Sequence, residues 1–169
     1  MTPPSPPPRK PLVIFDTGII LQATLTPRGA SERALQLLES GMVIAVMNNY
    51  LRAEYEDVLR RLASLEKYAQ LRRGTIIVDQ LARVDALVER VPNAPERIVY
   101  PRDPKDAPTV NLAIEVAADF IVTRDADLLD LNNDPTFQKV CPKTRIVDPV
   151  DFLEAVEEWE AGGATSEET

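Results

Sequence analysis

The sequence predicts an α/β protein with a central parallel sheet covered by helices on both faces, and three observations predict it. Short, continuously apolar runs alternate along the chain with stretches of helical period. The alternation repeats in the strand–helix–strand sense that builds parallel sheets. At 169 residues the chain suits one domain with a sizeable core.

The elements follow in order. Residues 1–10 (MTPPSPPPRK) are Pro-rich and read as a disordered lead. The domain spans 11–160. Its first strand is LVIF, Leu12–Phe15, and a helical stretch follows near Ser31–Glu39. MVIAVM, Met42–Met47, is a second strand, followed by a helix from Tyr50 to Ala63. Helical patterns continue through Ser64–Arg72 and Gly74–Val91, long enough for an arm-like helical pair. RIVY, Arg97–Tyr100, is a short third strand, and Pro108–Ala118 the next helix. FIVT, Phe120–Thr123, and Arg145–Val147 complete the strands, and a last helix starts near Pro149. Residues 161–169 (AGGATSEET) are small and polar and read as a flexible tail.

Composition excludes several chemistries. The chain has no histidine, so a Ser-His-Asp or Cys-His system within one chain is ruled out. A zinc enzyme is disfavoured for the same reason. The lone Cys141 excludes an internal disulfide framework, which fits a cytoplasmic protein. No apolar run approaches the roughly 20 residues that span a bilayer. Catalysis must therefore rest on carboxylates, whose hard oxygens favour Mg²⁺ or Mn²⁺. The net charge of −8 argues against a protein that coats nucleic acid, but not against a nuclease whose ions offset its acids.

In open α/β sheets ligands bind beyond the carboxyl ends of the strands. Asp16 follows the first strand, and Arg124, Asp125 and Asp127 follow FIVT. Two strands thus deliver acids to one edge, although an aspartate after a strand can also serve only a turn or cap. Glu54 falls in the apolar stripe of Leu51, Tyr55, Val58, Leu59 and Leu62. A carboxylate there is costly unless it is paired or coordinating, so it is either a ligand or half of an ion pair with an arginine. Asp106 precedes Ala107-Pro108, where it would be both a good helix cap and a possible ligand. Asp103 reads as a turn residue. Converging carboxylates repel one another, and divalent cations relieve that conflict while activating water for hydrolysis.

These segments resemble a known family. VIFDTGIILQA is similar to the opening of PIN domains, where a strand ends in Asp-Thr and usually Asn. NNYLRAEYEDVLRR resembles the family's helix after the second strand, and RDPKDAPTVNLAIEVAADFIVTRDADLL its third and fourth acids. The resemblance covers residues 11–150 and is strongest to toxin components of toxin–antitoxin pairs, related to VapC-type toxins. It implies a three-layer α/β/α sandwich and Mg²⁺- or Mn²⁺-dependent endonucleolytic cleavage of RNA. It assigns Asp16, Glu54, Asp106 and Asp125 to catalysis and metal binding, with Asp127 an auxiliary ligand and Thr123 a polar neighbour. It also implies an antitoxin partner and, by analogy, a homodimer.

Two positions depart from the family pattern. Gly18 stands where Asn is usual, and Ala107 where this branch often has another Asp. Both thin the site, which motivates a second reading as a non-catalytic PIN fold that binds RNA or protein. A third reading, a phosphohydrolase with an Asp16 nucleophile of the haloacid-dehalogenase type, lacks that family's second Asp, again at Gly18. Arg124 and Arg102 are the candidate phosphate contacts beside the acids, with the pairs Arg60-Arg61 and Arg72-Arg73 on the helical part. Aromatics are few, so no broad base-stacking platform is expected.

Overall fold

The computed structural model describes residues 9–72, 75–97 and 103–165. Within them, five parallel strands form one sheet: β1 (Leu12–Phe15), β2 (Ile44–Met47), β3 (Val88–Arg90), β4 (Phe120–Val122) and β5 (Arg145–Val147). Their spatial order is β3-β2-β1-β4-β5. Val13 lies between Ala45 of β2 and Phe120 of β4, and Phe15 pairs with Val122. The chain first builds outward from β1 to β3, then returns to the other side of β1 with β4 and β5. The order therefore reverses between β1 and β4, the place where such sheets open a crevice at their carboxyl edge.

Helices α1 (Thr17–Leu25) and α2 (Ala30–Glu39) connect β1 to β2, and α3 (Asn49–Ser64) and α4 (Ile76–Leu87) connect β2 to β3. Helix α5 (Ala107–Val116) leads into β4, the short α6 (Ala126–Asp130) and α7 (Pro135–Val140) into β5, and α8 (Pro149–Thr165) follows β5. Helix α2 packs on α1 and α8, whereas α3 packs on α1, α4 and α5. The result is an α/β/α sandwich. Its core joins Val13, Ile14 and Phe15 of β1 to Phe120, Ile121 and Val122 of β4. Phe152 of α8 meets Phe15 and Phe120 edge-on, at ring separations of 5.7 and 5.6 Å.

Two helix ends solve one problem differently. Gly41 follows α2 at φ 74, and Met42 N–H donates to the Leu37 carbonyl (3.0 Å). Ala117 ends α5 at φ 51, with Ala118 N–H donating to the Ala113 carbonyl (3.0 Å). Both use the left-handed residue that lets the chain fold back on its last turn, which glycine adopts without strain and alanine does not.

The third strand differs from the sequence expectation. The helical pattern over Gly74–Val91 ends at Leu87, and Val88–Arg90 forms β3. Among the described residues this strand lies at the sheet edge, pairs only with β2 and leaves Glu89 and Arg90 exposed, so it lacks the apolar run that marks an inner strand. Of the expected strand Arg97–Tyr100, Arg97 is not in a strand and the rest lies outside the described residues. The stretch Ser64–Arg72 is largely a 3₁₀ segment, Glu66–Arg72. Helix α1 carries no amphipathic signature because TGIILQATL is apolar on most sides and largely buried.

The ends also hold more structure than composition suggests. Residues 1–8 of the Pro-rich lead lie outside the described residues, but Arg9 is anchored. Its guanidinium forks onto the buried Asp119 (2.7 and 2.9 Å), and its carbonyl accepts from Trp159 Nε1 (2.8 Å). Helix α8 continues past residue 160 to Thr165. No described helix is long and apolar enough to cross a membrane.

Candidate active site

Four local structures bring acids to the carboxyl edge. Asp16 ends β1 and precedes α1, and its backbone N–H is held by the Val122 carbonyl of β4 (2.9 Å). Asp125 caps α6: its Oδ1 accepts from Asp127 N–H (2.8 Å) and Leu128 N–H (3.2 Å). Glu54 sits one turn into α3, beside the buried Leu51 and Tyr55. Asp106 precedes α5.

Two threonines hold three of these acids. Thr123, wholly buried after β4, donates its hydroxyl to Asp16 Oδ2 (2.8 Å). The same Oγ1 accepts from Asp125 N–H (3.0 Å). Thr17, buried at the start of α1, donates to Glu54 Oε2 (2.8 Å). Among the described residues Glu54 is engaged by a hydroxyl, and no arginine pairs with it. The role of Thr17 is one that sequence reasoning missed, and its only signal was its place beside Asp16 after a strand.

Asp106 answers the capping question. Its side chain makes no capping hydrogen bond, and Oδ2 is buried without a partner among the described residues. Burial pushes its carboxyl up to about 6, with further push from the negative charges of Asp125, Asp103, Asp16 and Asp127. Burial likewise raises Asp16, and Glu54 and Asp125 add to the shift, against the lowering effect of the Thr123 hydroxyl. Asp16 is thus acted on by Glu54 and Asp125, and Asp106 by Asp125, Asp103, Asp16 and Asp127. Asp103 is the turn residue expected: its Oδ1 accepts from Lys105 N–H (2.9 Å).

A buried, unpartnered carboxylate oxygen among oxygen-only donors fits a hard divalent cation. The fit is incomplete as the side chains stand. Among the described residues no three acids converge closely enough to hold an ion. Asp125 turns onto its own helix N-terminus and Glu54 onto Thr17. Gly18 leaves room here, since a Cβ built on it would meet Asp16 Oδ2 at 3.6 Å, an ordinary contact. Ala107 is buried just after Asp106.

Of the candidate phosphate contacts, Arg124 is exposed beside Asp125 and has no ion-pair partner among the described residues. Arg60 and Arg61 instead pair with Glu56 (2.8 Å) and Asp57 (2.9 Å) one turn back on α3, as solvated surface pairs do. Arg102 and Arg73 lie outside the described residues, as does the side chain of Arg72.

The site and fold define a class: a parallel-sheet α/β/α domain with acids at its topological switch point. The PIN-domain family model matches residues 12–127, and the chain belongs to the PIN-domain family. PIN domains are generally nucleases that use divalent metal ions, with RNA the substrate such a nuclease implies. No curated protein matches significantly. Among solved structures the chain is similar to PAE2754 from Pyrobaculum aerophilum, with a TM-score of 0.54 and 14% identity over 88% of this chain and 90% of that one. At that identity the likeness shows the fold alone.

Proposed function

We propose that this protein is a metal-dependent endoribonuclease, with Asp16, Glu54, Asp106 and Asp125 holding Mg²⁺ or Mn²⁺ and Asp127 assisting. The observation that carries it is the buried Oδ2 of Asp106, unpartnered among the described residues, in the field of Asp125, Asp103, Asp16 and Asp127. Held by these acids, a divalent ion would offset their mutual repulsion and would supply the Lewis acidity for phosphodiester hydrolysis without a histidine. Thr123 fixes Asp16 and the Asp125 backbone together, and Thr17 orients Glu54. Arg124, exposed beside Asp125, would meet a phosphate there.

The test is cleavage of RNA with Mn²⁺ by the wild type and by Asp16→Asn. Loss of cleavage in the variant supports the reading. Equal cleavage by both, or none by the wild type, sinks it. The resemblance to VapC-type toxins extends the proposal to a toxin whose antitoxin blocks this edge. Growth arrest on expression, relieved by the product of a neighbouring gene, is the result expected; harmless expression of an active nuclease would count against it.

Two observations favour a second reading, a PIN fold that binds RNA or protein without cutting. Among the described residues no three acids group closely enough to hold an ion, and Gly18 offers no amide to Asp16. Calorimetry with Mn²⁺ separates the two, since absence of binding at millimolar metal would favour the second.

A further inference from the structure

Beside the acids lies a cleft that the hydrolytic site does not use. It has a volume of about 360 Å³ and opens at the carboxyl edge, beyond β2 and β3 and between α3 and α5. This is at the small end of the roughly 300–1,000 Å³ in which small-molecule sites fall. It adjoins the acids through two elements. Asn48, in its wall, caps the helix that carries Glu54. Ala107, also in its wall, follows Asp106 directly.

From these features we propose that the cleft takes one unpaired nucleobase of a single-stranded RNA whose backbone lies across the acids. The proposal rests on the nuclease reading for the identity of the polymer. The chemistry of the wall selects the base over the phosphate. Among the described lining residues none is a cation, and Glu96 would repel an anion. Tyr50 presents an aromatic side chain that is 44% exposed, and Pro104 and Pro108 add flat apolar surface. A neutral planar ring stacks on such groups whatever its sequence.

The polar part of the wall is set by the backbone. Asn48 Oδ1 accepts from Leu51 N–H (2.9 Å), and Asn93 Oδ1 accepts from Tyr50 N–H (3.3 Å). With both oxygens engaged, each amide offers its NH₂ as a donor, which suits the carbonyl oxygens and ring nitrogens of a base edge. A paired base cannot enter without leaving its stack, so the cleft selects single strands. Net charge points the same way: with −8 on the chain, phosphate attraction alone is a poor source of affinity.

The test separates the cleft from the nuclease. A short single-stranded oligoribonucleotide is titrated, by fluorescence anisotropy, into Asp16→Asn protein with and without Tyr50→Ala. Stacking loss should weaken binding about tenfold. Tyr50→Phe should retain binding, and an abasic residue at one position of the RNA should reproduce the loss. Fully paired RNA should bind no better than single strands bind Tyr50→Ala. In the cleaving protein, Tyr50→Ala should raise KM more than it lowers kcat, as loss of uniform binding does. Binding and cleavage indifferent to Tyr50→Ala and to every abasic position would overturn the cleft alone. Tyr50-dependent binding without any cleavage by the wild type would overturn the nuclease and leave the cleft. No binding at all would overturn the cleft proposal.

Discussion

The Thr123 hydroxyl lies 2.8 Å from Asp16 Oδ2 and joins the ends of β1 and β4, the two strands between which the sheet order reverses. Its oxygen also accepts the Asp125 N–H. One buried side chain therefore sets the positions of two acids from different strands.

Thr123→Val keeps the shape and removes both bonds. An orienting contact behind a metal ligand is worth about 10- to 100-fold in metal affinity or activity. Stability should fall by about 1–3 kcal/mol, since Asp125 N–H loses its acceptor. Calorimetry with Mn²⁺ and thermal unfolding check both. Unchanged metal affinity with a normal fold would show that Asp16 needs no such support.

Asp106 makes the metal-free protein sensitive to pH. Its carboxyl is held near 6, whereas an unfolded aspartate ionises near about 3.9. Between those values the folded chain binds more protons than the unfolded one. This stabilising contribution is present below about pH 4 and is lost as pH rises through about 6. Asp106→Asn removes that loss, so its urea midpoint should gain on the wild type between about pH 4 and pH 7.5, modestly because the group is only half-buried. Mn²⁺ should narrow the gap at the upper pH by binding the wild type. A constant difference across the range would contradict the arrangement.

Gly18→Asn should be accepted, because the added Cβ meets Asp16 Oδ2 at 3.6 Å without a clash. Asn is also slightly the better helix former inside α1. Its amide can reach Asp16 or a water beside it, so Mn²⁺ should bind more tightly. Equal or weaker binding in a well-folded variant would show that Gly18 is not what thins the site.

Ala117→Gly tests the end of α5. Ala117 sits at φ 51, where a Cβ costs roughly 1–2 kcal/mol, and part of that is returned by the greater freedom of unfolded glycine. The expected net gain is about 1 kcal/mol. Denaturant unfolding measures it, and a destabilised variant would mean that the Ala117 methyl contributes contacts worth more than the strain.

Much of this protein was legible in its residues. The apolar runs at β1, β2 and β4 announce inner strands because a strand covered on both faces must be apolar throughout. The acids after β1 and β4 are visible for the same reason: strand ends can be counted. Glu54 stands out as a charge in an apolar stripe. β3 and α1 were not legible, because an edge strand loses its apolar run and a buried helix loses its polar face. Asp106 could not be settled either, since a cap and an unpartnered carboxylate have one sequence and differ only in what surrounds Oδ2. Local pattern thus determined the inner strands β1, β2 and β4 and put Asp16 and Asp125 just after two of them. The tertiary structure alone decided how they meet: Thr123 against Asp16, Thr17 against Glu54, and an open cleft beside Tyr50, because burial and partners belong to the packed chain and not to spacing along it.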